Sequence, residues 1–136
     1  MAEKPKTAAQ PPRAANAQIQ GALDLWKSRA LEYPEAWEDH PWGEYAIKVR
    51  KKVFVFLSTH KGGLTITVKL PQSGEEALLL PFTEPTGYGL GKSGWVSANW
   101  EPDVSIPTGL VLPWIDESYR CIAPKALVKQ LPANGS

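Results

Sequence analysis

Apolar residues recur at Ile19, Leu23, Trp26, Ala30 and Leu31, the spacing of one helix face. Asn16 is placed to cap that helix and Pro34 to end it. Residues 35–43, with Pro41 and Gly43, predict a loop. Two β-branched and aromatic runs follow, 45–49 and 53–57. Arg50, Lys51 and Lys52 lie between them, the span of a tight hairpin that lacks the usual Gly or Asn. Lys61-Gly62-Gly63 predicts a second turn. Leu64, Ile66, Val68 and Leu70 then alternate with Thr65, Thr67 and Lys69, a strand with one buried face. Ser73 and Glu76 stand at capping-box spacing and predict a short helix over 74–80. Residues 83–93 read as a glycine-rich loop and 95–100 as a fourth strand. A helix is expected over 114–122, with Pro113 at or near its first turn. Pro124 breaks it, and 125–131 form a last short helix.

The order helix, three strands, short helix, strand, helix, helix predicts an α+β class: a mainly antiparallel sheet with helices packed on one face. Residues 1–17 are rich in Ala, Pro, Gln and Lys and poor in large apolar groups, so they are expected to be a disordered leader. The domain then covers 18–132, and 133–136 form a flexible tail.

The chain has 136 residues, enough for one domain with a substantial core. Cys121 is the only cysteine, which excludes an internal disulfide and favours a reducing compartment. No apolar run reaches the roughly 18 residues of a membrane helix, and no apolar stretch follows the leader cations as in a signal peptide. The cytoplasm is the expected location. Net charge is +1; the leader holds Lys4, Lys6 and Arg13 against Glu3, which leaves the rest of the chain at −1. The distribution is uneven. Glu32, Glu35, Glu38, Asp39 and Glu44 form an acidic run without a base, and Lys48, Arg50, Lys51, Lys52, Lys61 and Lys69 follow without an acid.

Gly87, Gly89, Gly91, Lys92 and Ser93 suggest a phosphate loop, but the position five residues before Gly91 is Thr86, and a strand rather than a helix follows. His40 lies among acids with no second histidine nearer than His60, too sparse for a metal site. Cys121 has no partner and sits in an apolar helical stretch, so a buried thiol is expected. Ser118 lacks an identifiable base, and Tyr119 is expected to pack. Trp26 and Trp114 fit core stripes; Trp42 and Trp95 stand at loop-to-strand borders, where an indole can be half exposed.

Four ordered blocks resemble the MmcQ/YjbR family over about 23–131: Glu38-Asp39-His40-Pro41-Trp42-Gly43-Glu44, Lys52-Val53-Phe54-Val55, Gly87-Tyr88-Gly89-Leu90-Gly91-Lys92-Ser93-Gly94-Trp95-Val96 and Ile115-Asp116-Glu117-Ser118-Tyr119. The resemblance implies a CyaY-like α+β fold, also described as a double-wing DNA-binding motif, in a family mostly of unknown function. It places Trp42, Gly43, Lys52, Phe54, Gly87, Lys92, Trp95, Ser118 and Tyr119 on recurrent positions, with Phe54 and Gly43 read as fold determinants. The chain departs from the pattern at Arg50-Lys51, where a glycine is usual, and after Trp100, where Pro102, Pro107, Gly109 and Pro113 replace a regular helix start.

The resulting expectation is a non-enzymatic, monomeric binding module with no cofactor and no metal. Nucleic acid would be met weakly and non-specifically by a basic β-hairpin wing, through Lys51, Lys52, Lys69 and Lys92 with Trp95. The alternative is a protein or small ligand held by the glycine-rich 87–95 segment. A membrane is not among the expected partners.

Overall fold

The computed structural model describes residues 13–40, 44–87 and 89–132. Residues 1–12 of the leader, the tail 133–136, and Pro41, Trp42, Gly43 and Tyr88 lie outside the described residues. Helix α1 (Arg13–Leu31) buries Ile19, Leu23, Trp26 and Ala30. It begins before Asn16, so residues 13–17 are helical and Asn16 is not its cap. Ala14, Ala15 and Ala17 are strong helix formers and carry the helix back toward Pro11 and Pro12.

Six strands form one sheet: β1 (Ala36–Asp39), β2 (Tyr45–Val49), β3 (Lys52–His60), β4 (Gly63–Lys69), β5 (Thr83–Pro85) and β6 (Trp95–Trp100). Their order is β1-β2-β3-β4-β6-β5, and every neighbouring pair is antiparallel. Two of these strands, β1 and β5, lie where loops were expected. Both are short edges. Pro85 is tolerated because an edge strand needs no donor on its outer side.

Helices α2 (Gly74–Ala77), α3 (Thr108–Ile122) and α4 (Lys125–Val128) complete the chain. Helix α3 starts earlier than expected, and Pro113 lies inside it. One missing backbone bond is offset by the apolar stripe of Val111, Trp114, Ile115 and Tyr119, buried on both sides of the proline. Helix α2 is not closed by a capping box, since Ser73 makes no side-chain bond to the helix amides. Glu117 of α3 caps instead: its carboxylate accepts from Gln72 N at 2.8 Å, Ser73 N at 3.0 Å and Ser73 Oγ at 2.6 Å.

Alternation and register sort the strands onto two faces. Ile47, Val49, Val55, Leu57, Leu64, Ile66, Val68, Val96, Ala98 and Trp100 share the buried face and pack with Trp26, Val111, Ile115 and Tyr119. Phe56, Thr65, Thr67, Lys69, Trp95, Ser97 and Asn99 share the other face. A bulge refines this pattern: Ile47 pairs with Val55 and Lys48 with Val53, leaving Phe54 as the extra residue. Phe54 therefore turns inward beside Val55 and lies fully buried, with its ring 5.0 Å from that of Tyr119 and 6.1 Å from that of Tyr33.

Candidate functional site

The acidic run and the basic run of the sequence meet at two ion pairs, and a third acid of the run pairs with α1. Arg50 Nε donates to Glu35 at 3.0 Å, Lys48 meets Asp39 at 2.7 Å, and Lys27 of α1 meets Glu38 at 3.4 Å. The Arg50 hydrogen bond holds the Glu35 carboxyl below its usual range. The Lys48 bond, helped by the His40 amide, does the same for Asp39. Trp37 joins the two strands further: its Nε1 donates to the Arg50 carbonyl at 2.8 Å, and Lys48 Nζ sits 5.2 Å from its ring centroid. Arg50, at φ 56°, occupies the left-handed region that a glycine would take at this turn, held there by these contacts. Lys48 and Arg50 are thus structural. His40 pairs with Glu38 at 3.0 Å and packs on Tyr45, and no metal-binding cluster occurs among the described residues.

Lys51, Lys52, Lys69 and Lys92 have no ion-pair partner among the described residues. Pairing of Val49 with Lys52 and of Lys69 with Trp95 puts the β2–β3 turn, the end of β4 and the start of β6 at one end of the sheet. Lys92 joins them from the 3-10 turn Leu90–Ser93. The five expected residues therefore share an end but not a surface. Lys69 and Trp95 pair directly on the face without helices. Lys51 and Lys92 are exposed in turns. Lys52 pairs with Val49 on the helix side, where it borders a groove with Lys51, Ile122, Pro124 and Lys125.

Sequence reasoning missed Phe56, which is half-buried beside Trp95 with ring centroids 5.9 Å apart. It also missed a hydroxyl chain below these rings, Thr67 to Ser97 at 2.9 Å and Ser97 to Thr86 at 3.0 Å, and the Thr65–Asn99 bond at 2.8 Å. The alternation of Thr65, Thr67 and Lys69 marks this face. Only the register shows that Phe56 lies on it.

The glycine-rich segment is held by backbone bonds within itself. The amides of Leu90, Gly91, Lys92 and Gly94 donate to the carbonyls of Gly87, Thr86, Gly89 and Gly91, within the segment itself. Three of its glycines are needed for packing or backbone: a Cβ on Gly91 would stand 2.8 Å from Pro85 Cβ, Gly89 takes φ 78° and Gly94 takes φ 94°. Gly87 has open space around it and needs neither.

The block 115–119 binds the fold together. Asp116 accepts from Tyr33 OH at 2.8 Å and Arg120 Nε at 2.7 Å. Ser118, fully buried, donates to the Phe54 carbonyl at 2.6 Å and accepts from Lys69 N at 2.9 Å. Tyr119 donates to the Pro34 carbonyl at 2.7 Å. Its phenol pKa is raised by burial. The side chains from Asp116 to Tyr119 thus tie α3 to the turn after α1, to residues 72–73, to β3 and to the end of β4. Trp42 and Gly43, two further positions of the expected pattern, lie outside the described residues. Cys121 is exposed rather than buried, because its turn of α3 faces away from the sheet toward a cleft beside Arg120.

No described helix is long and apolar enough to cross a membrane. The crystal structure of the Deinococcus radiodurans protein DR2400, which carries the domain DUF419, superposes with a TM-score of 0.64 and 26% identity over 84% of this chain and 94% of that one. Among the curated proteins none matches the chain. The YjbR family model matches residues 31–121, from the end of α1 through the last turn of α3. That match takes in every strand and the Asp116–Tyr119 ties, and the chain belongs to the YjbR family.

Proposed function

We propose that this protein is a non-enzymatic binding module that meets single-stranded nucleic acid on the helix-free face and lysine-bearing end of its sheet. The observation that carries the reading is the cross-strand pair Lys69–Trp95 with Phe56 beside it. Half-exposed rings give nucleobases a stacking surface, and cations nearby attract the phosphates. Lys51 and Lys92 extend the positive end. Three of the nearby acids, Glu35, Glu38 and Asp39, are paired, while Lys51, Lys69 and Lys92 at this end have no ion-pair partner among the described residues, so the uncompensated charge there is basic. Lys52, on the helix side, stands outside the contact surface and serves as an internal control.

The proposal treats the architecture as CyaY-like, since helices from both ends of the chain cover one face of an antiparallel sheet. It takes the protein as a cytoplasmic monomer, in keeping with its single cysteine. The alternative, ligand binding by the 87–95 segment, is disfavoured because the amides at 90–92 and 94 are spent on the segment's own carbonyls.

Amide shift mapping by NMR with a single-stranded oligothymidine tests the reading. The largest shifts are expected at Phe56, Lys69, Lys92 and Trp95. Trp95→Ala should weaken binding by about 1–3 kcal/mol for each base it stacks. Shifts confined to α1 and α3 would refute the site.

A further inference from the structure

A separate cleft of about 660 Å³ opens between the end of α1 and the outer side of α3. Its walls carry Arg29 from α1, Tyr33 from the turn after it, Asp116 and Arg120 from α3, Gln72 from the segment after β4, and Cys121. A smaller recess of about 190 Å³ lined by Arg29, Tyr33 and Leu112 continues it. None of the residues assigned to nucleic-acid contact lies in it.

The hydrogen-bond inventory decides what such a cleft can accept. Both Asp116 oxygens are engaged, one by Tyr33 OH and the other by Arg120 Nε. Both Glu117 oxygens are engaged by the start of α2. The Tyr33 proton is committed to Asp116, and burial first, then that bond, pushes the phenol pKa upward, so the group stays neutral. Arg120 places one Nη on the Pro132 carbonyl, and the other has no partner among the described residues. Arg29 is exposed, and its side chain has no hydrogen-bond or ion-pair partner among the described residues. Formal charge in the cleft balances, two arginines against two carboxylates. The unspent charged groups, however, are the guanidinium donors of Arg29 and Arg120, beside the neutral Gln72 amide.

From this we infer that the cleft binds a small organic monoanion: a carboxylate held by Arg29 and the free edge of Arg120, with an apolar body on the Tyr33 ring, Leu112 and Pro113. A guanidinium presents a planar fork that matches a carboxylate. Two carboxylates in the wall disfavour a dianion, since unit charges of like sign a few Å apart repel by a few kcal/mol at the effective dielectric of a protein surface. A phosphate monoester is therefore the poorer ligand. A neutral amide of the same shape forfeits the charge-assisted bonds.

Cys121 lines the cleft and reports its occupancy directly. The rate of Cys121 alkylation by iodoacetamide is measured on the full chain with benzoate, benzamide or phenyl phosphate. Benzoate at ten times its dissociation constant should slow the reaction about tenfold, because only the empty form reacts. Benzamide should give no protection, and phenyl phosphate less than benzoate. Arg29→Ala should abolish protection while leaving the ligand-free rate and the melting temperature unchanged, since Arg29 is exposed and ties no segment. The inference is overturned if benzoate up to about 50 mM leaves the rate unaltered, a concentration well above the 1 mM range of weak binding. It is overturned equally if benzamide protects as well as benzoate, or if Arg29→Ala keeps full protection.

Discussion

The Ser118 hydroxyl donates to the Phe54 carbonyl at 2.6 Å, a bond that joins the middle of α3 to the bulge of β3. The bulge leaves that carbonyl outside the strand ladder, and the same hydroxyl accepts the Lys69 amide at the end of β4. One side chain therefore satisfies two backbone groups that the sheet cannot pair. Ser118→Ala keeps the volume and orphans both. The expected loss is about 1–3 kcal/mol in urea unfolding, with an unchanged m-value. A variant as stable as the parent would show that these backbone groups find other partners.

Arg50 gives the second prediction. Its φ of 56° is costly for any residue with a Cβ, and its side chain repays part of that strain through Glu35. Arg50→Ala loses the partner and keeps the strain; Arg50→Gly loses the partner and removes the strain. The glycine variant should have the higher denaturation midpoint. Equal midpoints would mean that the turn relaxes out of the left-handed region.

These two cases show where the sequence is legible and where it is not. The central strands announce themselves by β-branched runs, and the period-2 pattern of 64–70 names the core face, although Thr67 on the other face is buried as well. The edges β1 and β5 do not. Ala-Trp-Glu-Asp becomes a strand because Glu38 and Asp39 find Lys27 and Lys48 across space, and Thr-Glu-Pro because β6 offers a free edge. The same blindness to partners makes the charge runs look separate, although Glu35 pairs with Arg50 and Asp39 with Lys48. Ser73 and Glu76 match a local cap by spacing, yet the cap comes from Glu117, more than forty residues on. Cys121 sits in an apolar stretch but on the outer side of α3. For the candidate site, Lys69, Lys92 and Trp95 could be named from the chain, whereas Phe56 required the register.

Alkaline unfolding supplies the third prediction. Folding raises the Tyr33 phenol pKa, by burial first and then by the bond to Asp116, so the folded state favours the protonated form. That contribution is complete below about 10, the ordinary phenol value, and is lost as pH climbs beyond it. Stability should fall with rising pH in that window. Tyr33→Phe should flatten the slope, and the raised pKa of Tyr119 should leave a residue of it. An unaltered slope in Tyr33→Phe would contradict the assignment.

Exposure of Cys121 gives the fourth. A thiol reagent should modify the native protein at a rate within a few-fold of that for the urea-unfolded chain, since no packing shields the sulfur. Labelling that requires unfolding would place the residue inside the core.

The nucleic-acid reading is tested most directly by anisotropy of a labelled twenty-nucleotide oligothymidine across a salt series. At about 50 mM salt the account predicts a dissociation constant within the 1–100 μM range of non-specific binding, weakening steeply as salt rises. Combining Lys51→Ala, Lys69→Ala and Lys92→Ala should lower the slope of log K against log salt by about two units, roughly 0.7 per lost phosphate contact on a single strand. Lys52→Ala, on the helix side, should leave both affinity and slope unchanged. Absence of binding at about 100 μM protein, or a triple variant that binds like the parent, would contradict the account.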